Sequence, residues 1–331
     1  MSSSSRSWRP RCRSSVAADS GAAAIEVVHP GWLWIPVTIF AALAQTLRNA
    51  AQRGLTGELG TLGATLVRFL YGLPFAALWL IAVHAVGHFE IPAGNLSFLG
   101  WVLLGAVSQI AATALLLRVM TERNFTLGVA YSKSELIQVA LFGFVFLGDT
   151  VNPVVAIAIA LGTAGVLMLS PADREHPLRA LLTGWTSRLA LLGLASGTGF
   201  ALSAVGFRGA ALALHGTPFL MAAAGTLLVA QLVQTLLLGG WLAWRRRDVV
   251  LRVFRAWRVS LFAGFMGAAA SAGWFTSMAI EPVAHVRTLG LTELLFSYVI
   301  SRRLFREHLE RRELIGIALL TLGLFVVTLG Y

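Results

Sequence analysis

The sequence predicts an all-α integral membrane protein with ten transmembrane helices, arranged as two inverted five-helix repeats. Three observations favour this fold. The chain of 331 residues is 57% hydrophobic and only 12% charged, whereas soluble domains average about 25% charged residues. Apolar runs of about 20 residues, the length of helix that crosses a bilayer, recur from one end to the other. Polar residues inside these runs recur at a nearly constant separation, which indicates an internal repeat.

The chain divides into four expected regions. Residues 1–31 are rich in Ser, Arg and Ala without a hydrophobic period, so we predict a disordered basic tail. Residues 32–170 form the first repeat, residues 171–187 a polar linker and residues 188–331 the second repeat. In order, the apolar segments are about 32–52, 60–85, 96–119, 126–147, 152–170, 186–211, 217–243, 258–280, 284–305 and 312–330.

The repeat is clearest around two glutamates. Glu135 lies in the fourth segment and Glu293 in the ninth, 158 positions later. Arg48 and Arg208 correspond in the same way in the first and sixth segments, 160 positions apart. Each half has five segments, an odd number, so the second half must enter the membrane from the opposite side. Such inverted repeats are common in secondary transporters, whose binding site lies near the midplane between the halves.

The net charge of +11 comes almost entirely from arginine. The arginines cluster in short connections between apolar runs, where anionic headgroups are a simpler partner than nucleic acid, so we expect no nucleic-acid binding. They concentrate in the odd-numbered connections, which favours a cytoplasmic position for these connections and an outside position for both termini. Cys12 is the single cysteine, so an internal disulfide is excluded.

Charged and polar residues at membrane depth are the candidate functional residues, because burying them in a bilayer costs free energy. In the fourth segment, Tyr131, Glu135 and Gln138 share one helical face. Lys133, the only lysine of the chain, has Leu291 as its counterpart, so it is the candidate for specificity peculiar to this protein. The predicted substrate-binding or coupling residues are Lys133, Glu135, Glu293, Arg48, Arg208, Tyr131, Gln109 and Trp274.

These residues also have structural interpretations. The arginines suit a carboxylate or phosphate on a substrate, but they equally suit Glu135 and Glu293. Gln109 belongs to a class of residues that often joins helices, and either His285 or Arg287, at the start of the ninth segment, could reach the membrane interface by snorkelling. Proton coupling through a glutamate stays an open alternative.

No recognisable catalytic or metal-binding pattern stands out in the sequence. The histidines are scattered, the single cysteine lies in the tail, and neither a GxSxG motif nor a phosphate-binding loop occurs. We therefore expect no enzyme activity, no metal and no cofactor.

The chain resembles the ten-helix, EamA-type members of the drug/metabolite transporter superfamily over both halves. The resemblance rests on a glutamate in the fourth helix of each half, an acidic residue 14 positions later and a glycine in the next helix: Glu135, Asp149 and Gly165, and Glu293, Glu307 and Gly323. Leu136 and Leu294 stand where family members often have proline, and Asp149 stands where glutamate is usual. The resemblance implies a multi-pass carrier of the bacterial inner membrane, often an exporter of amino acids, other metabolites or drugs.

The leading hypothesis is therefore a secondary transporter, expected to export a small metabolite, amino acid or drug-like solute by alternating access. Its cavity is expected between the first, third, fourth, sixth, eighth and ninth helices. Its partners are the solute and the lipid bilayer, with protons as an open alternative, and it is a monomer or homodimer. The competing hypothesis is a non-transporting membrane scaffold or a subunit of a membrane enzyme complex.

Overall fold

The computed structural model describes residues 31–122, 135–148 and 188–305, together with position 132 and separate positions within 153–164 and 315–326. All regular structure in these residues is helical. Residues 1–30 of the predicted tail and the whole predicted linker lie outside the described residues, as do Tyr131 and Lys133.

We number the described helices in chain order. They are α1 (Trp34–Leu70), α2 (Leu73–Gly87), α3 (Leu96–Glu122), α4 (Glu135–Phe142), α5 (Arg188–Ala213), α6 (Phe219–Gln234), α7 (Gly240–Arg245), α8 (Arg247–Arg255), α9 (Trp257–Ile280), α10 (Val283–Leu289) and α11 (Thr292–Phe305). A 3-10 turn, Gly31–Leu33, precedes α1, and π-helical turns follow α4 at Gly143–Leu147 and α6 at Thr235–Gly239.

Helix α1 folds back on itself at Gly60. This glycine has φ 69° and ψ 171° inside the helix, a conformation that residues with a Cβ rarely adopt. The side-chain amide of Gln52 donates to the carbonyl oxygen of Ala64 over 2.7 Å, although residues this far apart in a straight helix would be about 18 Å apart. The helix therefore consists of two antiparallel arms, which correspond to the first predicted segment and the start of the second.

The described helices are long and apolar enough for a multi-pass membrane protein. Six helical stretches meet the length and hydropathy of a membrane span: Gly31–Gly87, Leu96–Glu122, Leu191–Ala213, Phe219–Arg245, Trp257–Ile280 and Val283–Ile300. Large apolar side chains such as Leu78, Phe144 and Leu236 point away from the protein, as lipid-facing side chains do.

Small residues bring helices from the two halves together. Helix α1 packs along α9, and α3 packs along α5. A Cβ added to Gly206 would lie 2.9 Å from the Cα of Gly105, and one added to Gly273 would lie 2.8 Å from the Cβ of Ala41. Small residues of α5 and α9 therefore lie where these helices approach their partners closely.

The ninth segment, predicted as one helix, is broken into α10 and α11 at Gly290 and Leu291. The amide of Leu291 donates to the carbonyl of Thr288 over 3.1 Å, and that of Glu293 donates to the carbonyl of Gly290 over 3.0 Å. These three-residue steps replace the regular four-residue helical bonds. The break needs no proline, and it places Glu293 in the first turn of α11.

The arginine-rich connection after the seventh segment contains the additional helix α8. Val249 and Val253 lie one turn apart and are buried, whereas Leu251, Phe254 and Arg255 are exposed. Asp248 pairs with Arg252 over 3.0 Å. This amphipathic helix carries its arginines at the end of the bundle, next to the membrane span α9.

Candidate functional site

Glu135 and Glu293 are both buried inside the helix bundle and line the same cavity. Their exposed fractions are 3% and 2%. The cavity has a volume of about 10 Å³, which is roughly the room that one water molecule needs. Its walls are formed by Gln45, Arg48, Leu116, Ser132, Glu135, Phe200, Arg287 and Glu293. These residues come from the first, third, fourth, sixth and ninth predicted segments.

The carboxylate of Glu293 is held by two amide groups of α1. The side-chain nitrogen of Gln45 donates to Oε2 over 2.7 Å, and that of Asn49 donates to Oε1 over 3.0 Å. Gln45 and Asn49 lie one helical turn apart, so both amides face the same point. Glu293 also lies at the start of α11, where the helix dipole favours a negative charge. Two neutral donors and a helix end therefore stabilise this buried carboxylate.

Arg48 lies next to Glu293 but donates to a neutral group. Its exposed fraction is 1%, and its Nε and Nη2 atoms donate to Oδ1 of Asn49 over 3.2 and 2.7 Å. Asn49 thus connects the guanidinium of Arg48 to the carboxylate of Glu293. In the described part of the chain, Nη1 of Arg48 has no hydrogen-bond partner.

Arg287 of α10 connects Glu135 to an aromatic ring. Its Nη1 lies 3.8 Å from Oε1 of Glu135, which is longer than the charge-assisted hydrogen bonds of about 2.7–2.9 Å that tight ion pairs form. Its guanidinium carbon lies 4.7 Å from the centroid of the Trp274 ring, within the range of a cation–π interaction. Nε1 of Trp274 donates to Oε1 of Gln45 over 3.0 Å. A continuous chain of contacts therefore runs from Glu135 to Glu293.

A third buried arginine, Arg68, lies beside Arg48. Both side chains would lie 3.3 Å from a Cβ added to Gly267. Nη1 of Arg68 donates to the hydroxyl of Thr113 over 3.2 Å. The reversal of α1 at Gly60 causes this neighbourhood, because it returns the chain past its own first arm.

The structure places two predicted site residues away from the cavity. Nη1 of Arg208 donates to the carbonyl oxygens of Met278 and Glu281 over 2.6 and 2.7 Å, at the carboxyl end of α9. Gln109 accepts a hydrogen bond of 2.8 Å from Gln234 and so joins α3 to α6. Lys133 and Tyr131 lie outside the described residues, and their roles stay predictions.

Three residues of the cluster were missing from the prediction. Gln45 and Asn49 flank Arg48 in the first segment, and their one-turn spacing inside an apolar run is a signal that the sequence contains. Arg287, one of the two residues that could reach the membrane interface, is only 7% exposed and lies 3.8 Å from Glu135. It faces the interior because the break after α10 turns this short helix toward Glu135. His285, the other residue, contacts Glu281 and is largely buried.

Within the described residues, no group of three or more His, Cys, Asp and Glu side chains is placed to hold a metal ion. The charged and polar side chains of the site are two carboxylates, three guanidiniums and two amides. Such a set binds polar or charged groups.

Comparisons with known proteins found one family model and solved structures of similar fold. No curated protein matches the chain in sequence. A solved structure titled only "Crystal structure of protein" shares the fold with a TM-score of 0.62 and 16% sequence identity, over 89% of this chain and 96% of that chain. Residues 187–329 match the EamA-like transporter family. This match covers 143 of the 331 residues, so it is the carboxyl-terminal part of the chain that is similar to the EamA-like transporter family.

Proposed function

We propose that the protein is a secondary transporter that moves a small solute by alternating access and binds it at the Glu135–Glu293 cluster. The observation that carries this proposal is the meeting of buried, oppositely charged residues from both halves around one cavity. Ionisable groups at membrane depth are costly and mark substrate or ion pathways. Transporters with inverted repeats have their site at the repeat interface.

The packing of the helices supports an inverted repeat of ten helices. In the predicted repeat, the first segment corresponds to the sixth and the third to the eighth. Helix α1 packs along α9, the eighth segment, and α3 packs along α5, the sixth segment. Exchanging the two halves turns the contact between the first and eighth segments into the contact between the sixth and third segments, and the reverse. Two-fold symmetry of this kind is what alternating access uses, because the same contacts open on one side and close on the other.

The dimensions of the cavity indicate what transport requires. A space of about 10 Å³ is too small for a metabolite, so the walls have to separate before a solute enters. The break between α10 and α11 lies in one wall and supplies a joint between two short helices.

We place the transporter in the bacterial inner membrane as an exporter of a metabolite, amino acid or drug-like solute, acting as a monomer or homodimer. Protons are the coupling ion that we propose, because Glu135 is a buried carboxylate in the cavity wall, and carboxylates inside membrane proteins often form proton pathways. The similarity of residues 187–329 to the EamA-like transporter family and the arginine-rich connections support the location.

Counterflow in proteoliposomes tests the proposal. A metabolite panel is assayed with the wild type, Glu135→Gln, Glu293→Gln and the exposed control Glu58→Gln. We expect solute exchange in the wild type and in Glu58→Gln, and at least a tenfold loss in the other two variants while they remain folded. Normal exchange in both cavity variants would remove the two glutamates from the mechanism. No exchange of any solute by the wild type would favour the scaffold hypothesis.

Proton coupling has its own measurement. Uptake into the same vesicles is measured with and without an imposed pH gradient. The proposal expects the gradient to drive accumulation in the wild type and to have no effect in Glu135→Gln. Accumulation that ignores the gradient in the wild type rules out protons as the driving ion.

A further inference from the structure

We propose that the transported solute carries a single carboxylate, and that Arg48 and Arg287 bind it. This inference rests on the proposed transport function and specifies the chemical class of the solute. It follows from the charge of the buried cluster, from the direction of its donors and from the character of the remaining walls.

The described cluster has more positive than negative charge. Arg48, Arg68 and Arg287 are buried there with two carboxylates, those of Glu135 and Glu293. With all groups ionised, one positive charge is left without a counter-charge among these five residues. An uncompensated charge in a protein interior costs several kcal/mol. A monovalent anion at this place compensates it, whereas a phosphate monoester brings a charge of about −1.5 to −2 and exceeds it.

Donor atoms of two arginines support this position for the anion. Nη1 of Arg48 and Nε of Arg287 are buried and make no hydrogen bond within the described part of the chain. Both residues line the cavity. Neither guanidinium has a short hydrogen bond to a carboxylate, because Arg48 donates to the neutral Asn49 and Arg287 lies 3.8 Å from Glu135. Guanidinium groups match the geometry and charge of a carboxylate.

The other walls suit the apolar part of such a molecule. Leu116 and Phe200 line the cavity from α3 and α5, and neither offers a side-chain hydrogen-bond donor or acceptor. The ring of Trp274 lies behind Arg287 and holds its guanidinium in place. Charged donors on one wall and apolar side chains on the other define a small monocarboxylate with an apolar body.

The proposal is tested by matched ligand pairs on the purified full-length protein in lipid nanodiscs. Propionate, hexanoate and phenylacetate are each compared with the corresponding amide, and hexanoate also with hexyl phosphate. The readout is the midpoint of thermal unfolding. We expect at least one carboxylate to raise the midpoint by about 2 °C or more at saturating concentration. The corresponding amide and hexyl phosphate should raise the midpoint of unfolding much less than the carboxylate does.

Three variants locate the effect. Arg48→Gln and Arg287→Gln should lose the carboxylate-dependent shift, and the exposed control Arg118→Gln should keep it. If a glutamine variant does not fold, Arg48→Lys preserves the charge without the planar fork, and a reduced shift is expected. The comparison of carboxylate with amide in the wild type needs no variant.

Three results would overturn the inference. They are an equal shift by every carboxylate and its amide, a larger shift by hexyl phosphate than by hexanoate, and an unchanged carboxylate shift in both cavity variants. Failure of the inference is distinct from failure of the transport proposal. Suppose that a neutral solute exchanges in counterflow and that Arg48→Gln exchanges it at the wild-type rate. This result would contradict the carboxylate inference and would still support transport.

Discussion

At the scale of single residues, the two glutamates of the repeat, Glu135 and Glu293, differ in the groups that contact them. Glu293 receives two hydrogen bonds from α1 and lies at a helix start, so its surroundings are preorganised. Nη1 of Arg287 lies 3.8 Å from Oε1 of Glu135, which lines the cavity. Gln45 couples the two sides, because it donates to Glu293 and accepts from Trp274. A substitution of Trp274 should therefore alter the hydrogen bonding of Glu293.

Trp274→Phe tests this coupling. The phenyl ring remains beside Arg287, but the donor to Gln45 is lost, so we expect a loss of about 1 kcal/mol in stability and weaker solute binding. Thermal unfolding and counterflow measure the two effects. Trp244→Phe is the matched control, since Trp244 is exposed and its ring faces Arg245. Equal behaviour of the two variants would contradict the coupling.

Arg208→Gln separates a structural arginine from the arginines of the site. Removing the guanidinium leaves the carbonyl oxygens of Met278 and Glu281 without this donor, so we expect a loss of about 1.5–3 kcal/mol in stability. The affinity for the solute should stay near that of the wild type. Binding to the folded variant, measured below its unfolding temperature, checks this expectation. A loss of affinity for the solute without a change in stability would indicate that Arg208 belongs to the binding site.

At the scale of helices, the close contacts follow directly from composition. Glycines and small residues in two apolar segments predict close helix contact, and Gly206 meets Gly105 in the structure. The burial of the glutamate pair also follows from the sequence, because the repeat places both at membrane depth. The break before Glu293 has no comparable signal, since Gly290 alone is tolerated inside helices. Arg287 was misplaced for the same reason, because its direction depends on that break.

Helix α8 is an element that the sequence did not predict. Its arginines lie in a connection between two apolar segments, and two valines four residues apart are too short a pattern to predict a helix. Packing of these two valines against the second arm of α1 near Gly63 forms the helix. Tertiary contact, rather than local preference, decides such short elements.

Gly206→Leu tests the α3–α5 contact. The added side chain would collide with the backbone of α3, so we expect a loss of at least 1–3 kcal/mol in stability, as overpacking typically costs. Gly100→Leu is the matched control on α3, because a Cβ there meets nothing within 4 Å. The folded fraction after detergent extraction and the unfolding midpoint are measured. If Gly206→Leu keeps the folded fraction and the unfolding midpoint of the wild type, α3 and α5 do not pack this closely.

At the scale of the whole molecule, ten crossings require both termini on the same side of the membrane. The single cysteine, Cys12, reports the position of one terminus, and Tyr331→Cys in a Cys12→Ser background reports the other. We expect a membrane-impermeant maleimide to label both in intact cells, because the arginine-rich connections favour outside termini. Labelling of one terminus alone would contradict an even number of crossings. Labelling of neither without permeabilisation would reverse only the orientation.

The pairing of α1 with α9 has a consequence for biosynthesis. Asn49 and Glu293, which bond to each other, are separated by 244 positions. At ribosomal speeds of about 5–20 residues per second, the later residue emerges on the order of tens of seconds after the earlier one. During that interval Arg48 and its neighbouring amides occupy the translocon or the lipid without their final counter-charge. We therefore expect nascent chains truncated before α11 to be held by membrane chaperones and to be degraded when released.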